Sequence, residues 1–417
     1  MSLKEIFASL TLRMKASEIR ELLKLLDQPG ILSSAGGIPD PALFPTDAVG
    51  AAFQQALSGD RQAQSLQYSV SEGYLPLKEW IVDRMARLGV ACTPDNILVT
   101  SGSQQALDYL GKLFLSPGDT ALVTAPTYLG ALAAFNAYES RYDQLSLEGN
   151  RTVQSYRDEA GAVKSEIKFA YLSSDFAHPT GQTVSSAARA RLLDMAEDLD
   201  CAVIEDGAYQ DLRYDGDPVL PILAMELSRK GSIEDCRTVY CGSFSKTLSP
   251  GLRVGWAVAA KPLISQMVLI KQASDLHSAT VNQMAVNTVA RQIFDSHVET
   301  VRRAYKERRD AMLGALQQHM PSGVHWTRPE GGMFVWVTLP AGIDSAELLA
   351  RSLETVKVAF VPGQAFFADG GGANTLRLSF SVLDEAEIEE GIARLGRLIS
   401  DVLSAPAWTR QQAAQMV

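Results

Sequence analysis

A lysine set among hydroxyl side chains, Gly242-Ser243-Phe244-Ser245-Lys246-Thr247, follows the β-branched run Thr238–Cys241. An amine at the end of a buried strand loses hydration, its pKa falls, and it becomes a nucleophile able to form a Schiff base with a carbonyl. Four other places carry groups suited to a charged ligand. The run Ala202-Val203-Ile204-Glu205-Asp206 passes from apolar residues to two acids, with Tyr209 three residues on. A carboxylate there can bind a cation or a protonated ring nitrogen. Ser101-Gly102-Ser103-Gln104-Gln105 joins a strand to a helix, where free N–H groups and the helix dipole make an anion site. Arg253, expected to enter a strand, suits bidentate phosphate recognition. Arg377, inside the apolar run Thr375–Phe380, is costly to bury without an anionic partner. Each also has a plain structural reading: an ordinary surface lysine, a solvated strand end, a turn with its cap, an edge strand facing water.

These residues need elements to bring them together. From about Thr46 to Ser296 the chain alternates short β-branched runs with helical patterns. The clearest strands are Asn96–Thr100, Thr120–Thr124, Lys168–Leu172, Ala202–Glu205, Thr238–Cys241 and Val254–Ala259, with helices such as Gln104–Phe114 and Ser186–Leu199 between them. That alternation implies an α/β fold with a mostly parallel sheet covered on both faces. Open sheets of this kind bind ligands beyond the carboxyl ends of their strands. A long helix is expected over Ser296–His319, with Arg302, Arg303, Lys306, Arg308 and Arg309 on its solvated side. Strands at Gly332–Leu339, Val358–Val361 and Thr375–Ser381, with helices at Ser345–Leu353 and Glu385–Leu403, describe a smaller α+β domain. After Ser17, the spacing of Ile19, Leu22, Leu23 and Leu26 predicts a short amphipathic helix ending before Pro29-Gly30. The expected organisation is an N-terminal arm over 1–45, a large domain over 46–296 and a small domain over 297–417.

Composition narrows the classes. A chain of 417 residues exceeds one ordinary core, and 46% apolar with 21% charged residues is usual for a globular protein. A net charge of −10 argues against nucleic acid or an anionic membrane as partner. Cys92, Cys201, Cys236 and Cys241 form no paired motif, so a reducing cytoplasm is expected. No leader-like or membrane-spanning apolar run is visible. His178, His277, His297, His319 and His325 lack metal-ligand spacing, and no metal is expected. Ser243-x-x-Lys246 also matches the serine nucleophile of β-lactamases, but the accompanying Ser-Asp-Asn and Lys-Thr-Gly strings do not occur.

Order and spacing together say more than any single signal. The succession Ser101-Gly102-Ser103-Gln104-Gln105, Ala125-Pro126-Thr127-Tyr128, His178-Pro179-Thr180-Gly181, Glu205-Asp206-Gly207-Ala208-Tyr209 and Ser243-Phe244-Ser245-Lys246, then Arg253 and Arg377, resembles the fold-type I aminotransferases. These depend on pyridoxal 5′-phosphate (PLP) and have the aspartate aminotransferase-like fold, a seven-stranded sheet plus a small α+β domain. The resemblance implies that Lys246 holds the cofactor covalently and that Asp206 keeps the pyridine nitrogen protonated. It implies that Tyr209 donates to the ring oxygen and that Tyr128 stacks on the ring. Ser103, Gln104, Ser243, Ser245 and Arg253 would form the phosphate cup, and Arg377 would clamp the substrate α-carboxylate. Tyr68 resembles the tyrosine that reaches the neighbouring subunit's phosphate, which implies a homodimer. Ser17–Lys24 and Ala35-Gly36-Gly37-Ile38-Pro39 are similar to the 2-aminoadipate and kynurenine aminotransferases. There Arg20 matches an arginine meeting a distal carboxylate, and Gly37 lies where the backbone approaches the substrate.

One departure stands out: His178 occupies the place of the family's asparagine, which contacts the ring oxygen and the substrate carboxylate. An imidazole near its ordinary pKa is expected to make the site sensitive to near-neutral pH. The implied reaction moves an amino group from an amino acid to a 2-oxo acid, with glutamate and 2-oxoglutarate as one pair and 2-aminoadipate, aromatic or branched-chain amino acids as candidates. The same fold supports β-lyases and decarboxylases. It also occurs behind DNA-binding domains in transcription regulators, which the acidic charge and the early position of the Arg20 helix disfavour.

Overall fold

The computed structural model describes residues 6–14 and 30–405. The helix expected over Ser17–Leu26, Arg20 within it, and the tail from Pro406 lie outside the described residues. The first strand, β1 (Leu32–Ser33), is short and pairs in parallel with a late strand. The next seven are β2 (Ile97–Thr100), β3 (Thr120–Val123), β4 (Arg141–Gln144), β5 (Ile167–Ser173), β6 (Ala202–Asp206), β7 (Thr238–Ser243) and β8 (Gly255–Val258). They form one sheet in the order β2-β8-β7-β6-β5-β3-β4, parallel except for β8, which runs against both its neighbours. Sequence patterning finds six of the seven. β4 escapes it because an edge strand of sequence Arg-Tyr-Asp-Gln is half-exposed and carries no apolar run.

Alternation along the strands divides the core into layers. In β2, Ile97 and Val99 pack with the helix Leu75–Arg87 on one face, and Leu98 packs on the other. In β5, Phe169 and Tyr171 face one layer, and Ala170 and Leu172 the opposite one. Next door in β6, Ile204 shares the layer of Tyr171, and Val203 that of Ala170. Glu205 and Asp206, consecutive in sequence, therefore leave the strand on opposite faces.

The reversal of β8 fixes where Arg253 goes. Residues that follow β2, β5, β6 and β7 emerge at the same end of the sheet. Because β8 is antiparallel, the residues that precede it emerge there too. Arg253 sits at the entrance to this strand, as expected from sequence, in left-handed backbone, φ 53°.

The remaining strands are β9 (His325–Trp326), β10 (Phe334–Thr338), β11 (Val358–Ala359), β12 (Val361–Pro362) and β13 (Thr375–Ser379). β11 partners β1, and the other four form an antiparallel sheet, β12-β13-β10-β9, packed with helices Ser345–Thr355 and Glu385–Ser404. The long helix begins at Thr280, sixteen residues before the expected start, and runs for 40 residues to His319. Met284, Ala285, Val286, Val289, Ala290 and Phe294 extend its buried stripe, and neither Gly nor Pro occurs in the added stretch from Thr280 to Ser296. Its first half packs with the large sheet and its second half with the small one. We propose that the large and small parts divide inside this helix, near Val298–Val301. The expected basic solvated face is also corrected. Arg303 is exposed, but Arg309 is buried, donating to Pro329 O at 2.7 Å and pairing with Asp215. Arg308 pairs with Asp40 at 2.7 Å.

Candidate active site

Lys246 follows β7 and is half-buried between the two parts of the chain. Its Nζ donates to the Gly37 carbonyl at 3.3 Å and lies 5.6 Å from the centre of the Tyr209 ring. Burial lowers its pKa to about 8, the positive Arg377 and Arg253 act in the same sense, and Asp206 opposes them. The surface-lysine reading is thereby excluded.

An anion cradle lies at the end of β2. The helix Ser103–Phe114 starts after Gly102, which has φ +82° and offers no side-chain cap, so the first amides face outward uncapped. A Cβ at Gly102 would stand 2.4 Å from Arg253 Nη2, so this glycine admits the guanidinium. Arg253 Nη2 also donates to Ser101 O at 3.1 Å. From β7, the Ser243 hydroxyl lies 2.9 Å from that of Ser245 and accepts the Ser245 N–H at 3.1 Å. The register places Gly255 opposite both Thr100 and Ser243, which brings the two serines and Arg253 to one end of the sheet. Gln104 bonds Gly130 O at 2.6 Å, and the Tyr128 hydroxyl lies 3.4 Å from Gln104 Oε1.

The two acids of β6 have separate partners. Glu205 accepts the N–H groups of Ile222 and Leu223 at 2.9 and 3.1 Å, capping the helix Ile222–Lys230. It also receives the Ser174 hydroxyl at 2.8 Å and has Arg189 nearby. Asp206, on the other face, accepts from the Tyr171 hydroxyl at 3.0 Å and from Ala208 N–H at 3.2 Å. Burial raises its pKa; the two donors and Lys246 pull it down. Neither acid is the solvated strand end that the sequence allowed.

Arg377 is 0% exposed at the centre of its sheet, between Trp336 of β10 and Val361 of β12. Its guanidinium donates to Ala35 O and, through Nη1, to His178 Nε2 at 2.5 Å; it lies 4.5 Å from the Phe334 ring centre. Its Nε has no hydrogen-bond partner, and among the described residues no carboxylate pairs with it. Gly37 sits against it: a Cβ there would meet Phe334 Cζ at 3.0 Å and Arg377 Nη1 at 3.3 Å. His178 stacks on Phe334, centroids 4.3 Å apart at 22°, with Tyr128 at 5.0 Å and Tyr209 edge-on at 6.3 Å. Because Nε2 faces an arginine donor, it must be the acceptor, and the proton of the neutral ring is on Nδ1, a buried atom with no partner. Burial first, then Arg377 and Lys246, push the imidazole pKa well below its ordinary value. The expectation that His178 senses near-neutral pH is therefore corrected: two cations and a dry pocket hold it uncharged.

The chain fold thus gathers Lys246, Asp206, Tyr209, Arg253, Ser243, Ser245, Ser103, Gln104, Tyr128, His178, Gly37 and Arg377. Tyr68 is not brought into this pocket within the chain; it is 78% exposed and edge-on to His277 at 5.9 Å. Sequence reasoning missed Tyr171 and Phe334, which lie inside strands and read as ordinary core residues. Among the described residues no cluster of metal-ligating side chains occurs, and no helix is long and apolar enough to cross a membrane.

Residues 34–395 match the family model of aminotransferase class I and II. A 2-aminoadipate transaminase of Thermus thermophilus is 43% identical over 97% of this chain and 99% of its own length. Aromatic-amino-acid aminotransferase 1 of Thermococcus litoralis is 41% identical over 95% of each chain. Among solved structures, the α-aminoadipate aminotransferase LysN of Thermus thermophilus, complexed with N-(5′-phosphopyridoxyl)-L-leucine, superposes with a TM-score of 0.86 at 41% identity. That match covers 97% of this chain and 100% of that one.

Proposed function

The chain belongs to the aminotransferase class I and II family, and on that premise we propose which residues carry its reaction and on which substrates. It is a PLP-dependent transaminase with the aspartate aminotransferase-like fold, acting on amino acids and 2-oxo acids. When bound, the cofactor supplies a carbonyl carbon for an amine and a ring that takes up electron density from the substrate Cα.

The residues fit that group. A buried amine, a buried carboxylate whose two oxygens each keep a free lone pair, and an uncapped helix start beside Arg253 have the chemistry to hold its carbonyl carbon, ring nitrogen and phosphate. In this reading Lys246 would hold the cofactor covalently, and its free Nζ would take the proton from the substrate Cα. A pKa near 8 suits a group that must both accept and release a proton near neutrality. Asp206 would pair with the ring nitrogen and keep it protonated. The Tyr209 hydroxyl would serve the ring oxygen, and Tyr128 would stack on the ring. Arg253, Ser243, Ser245 and the amides of Ser103 and Gln104 hold the phosphate, with Tyr68 reaching that of a second subunit.

The observation that carries the reading is Arg377, a fully buried cation beside Lys246 with no carboxylate partner among the described residues. Burial draws its pKa to about 10, far too high for it to lose its charge at neutral pH. An unpaired buried cation is strongly destabilising, and a substrate α-carboxylate relieves it. Gly37 and His178 border the same guanidinium and complete the substrate contact. Glutamate with 2-oxoglutarate is the proposed pair, with 2-aminoadipate or an aromatic amino acid as the other donor, in keeping with the relatives' names. The four cysteines are free, in keeping with a cytoplasmic location.

The test is borohydride reduction of the PLP-loaded enzyme followed by peptide mapping, with a screen of amino acids against 2-oxoglutarate. The pyridoxyl mass is expected on the peptide holding Lys246, and glutamate is expected as product. Label elsewhere, or ammonia and pyruvate in place of glutamate, would overturn the assignment.

A further inference from the structure

A phenol inside an apolar layer needs an acceptor, because a buried hydroxyl left unbonded costs free energy. Tyr171 is 0% exposed within β5, packed edge-on against Phe135 at 5.6 Å. Two residues earlier, Phe169 fills the same face with no hydroxyl, so packing alone does not call for a tyrosine. The acceptor is Asp206 Oδ2, 3.0 Å away on the neighbouring strand. The alternation of β5 and β6 puts both side chains on one face, and parallel pairing fixes their separation. The other carboxylate oxygen, Oδ1, accepts the Ala208 N–H at 3.2 Å. Each oxygen thus has one fixed donor and keeps a lone pair for a further partner.

We propose that Tyr171 is a positioning residue of the cofactor site, whose hydroxyl fixes the rotamer of Asp206 and holds its carboxylate in the anionic form that faces the cofactor's ring nitrogen. The proposal rests on the reading of Asp206 given above. Tyr171 can fill this role across the working pH range. Burial and the Asp206 charge hold its phenol protonated well above the ordinary tyrosine range, so it always donates. The other titratable groups in reach of Asp206 are Lys246, Cys241 and Tyr240 from the β7 side and Tyr209 from its own segment. Of these, Lys246 favours the carboxylate, and the buried phenols and thiol stay neutral.

The test is a cycle of PLP dissociation constants on apo-protein, read by fluorescence quenching, for wild type, Tyr171→Phe, Asp206→Asn and the double variant. Losing a hydrogen bond to a charged group predicts PLP binding weaker by about tenfold or more in Tyr171→Phe. In the Asp206→Asn background the same change should alter binding less than about threefold. The pH below which PLP binding weakens should also rise in Tyr171→Phe, since a carboxylate with one donor fewer takes up its proton earlier. Replacing Tyr171 by 3-fluorotyrosine keeps ring and hydroxyl, and is expected to bind PLP as wild type does whether or not Tyr171→Phe folds. Equal penalties in both backgrounds, wild-type binding by Tyr171→Phe, or weakened binding by the fluorotyrosine protein would overturn the proposal while leaving Asp206's role intact. An Asp206→Asn protein that binds PLP as tightly as wild type would remove that role and the proposal with it.

Discussion

Lys246 and His178 show how neighbours set what a residue type can do. A lysine among serines is unremarkable in sequence; burial beside Arg377 and Arg253 makes it an amine that loses its proton near pH 8. In cofactor-free protein, its reaction with a carbonyl reagent should rise through a midpoint near 8 rather than near 10.5. The sign follows from the lowered pKa: the reactive free amine dominates once pH exceeds the folded-state value. His178 bears on the same titration. It is already neutral, held by a bond to Arg377 and by the Lys246 charge. Exchanging it for asparagine changes no charge, so the His178→Asn protein should share the wild-type midpoint. A displacement of about one unit would mean that the imidazole carries charge.

The loop between β5 and the helix Ser186–Leu199 carries His178, and its shape depends on buried ions. Arg189, fully buried, donates to Ser174 O, Val184 O and Leu220 O and pairs with Asp175 at 2.9 Å. Asp175 also pairs with Arg213, which reaches Glu330 near the start of β10. Arg189→Leu would leave Asp175 and Glu205 short of a cation in a dry interior, at a cost of about 3–5 kcal/mol. Chemical denaturation should show that loss. The exposed pair of Arg229 with Asp194, by contrast, should contribute less than about 1 kcal/mol when Arg229 is replaced by alanine. Equal losses for the two variants would show that the buried network does not hold the loop.

A strip of exposed apolar side chains bears on the proposed assembly. Leu66, Tyr68 and Val70 are 69%, 78% and 60% exposed, alternating along a segment that leads into the core residue Tyr74. Surface like this on a folded chain marks a contact with another chain, and Tyr68 is the residue assigned to a neighbouring subunit's phosphate. A second copy of the same chain is the proposed occupant. Size-exclusion chromatography with light scattering should give twice the 45.1 kDa chain mass for wild type. Leu66→Asp with Val70→Asp should shift the mass toward one chain and weaken PLP retention, because each site would lose its partner's Tyr68. A wild-type mass of one chain with full activity would refute the shared site.

The order of chemical groups was legible in the amino-acid sequence. The lysine after one strand, the acid at the end of another, the glycine before a helix and the arginine inside an apolar run are local patterns, and periodicity alone places the first three at element ends. Most of the parallel sheet follows from the same alternation. The edge strand β4 and the first four turns of the long helix were not legible. One has no apolar run to read, and the other continues a stripe whose partner is distant in sequence. The family resemblance pointed to Asp206, but only the tertiary structure put Glu205 and Asp206 on opposite faces, since facing depends on strand pairing. Only it gave Asp206 its donor from Tyr171, 35 residues away, and His178 its uncharged state through Arg377, 199 residues away. Charge state and hydrogen-bond partner depend on burial and distance in space, and for these groups both come from segments that meet only when the chain is folded.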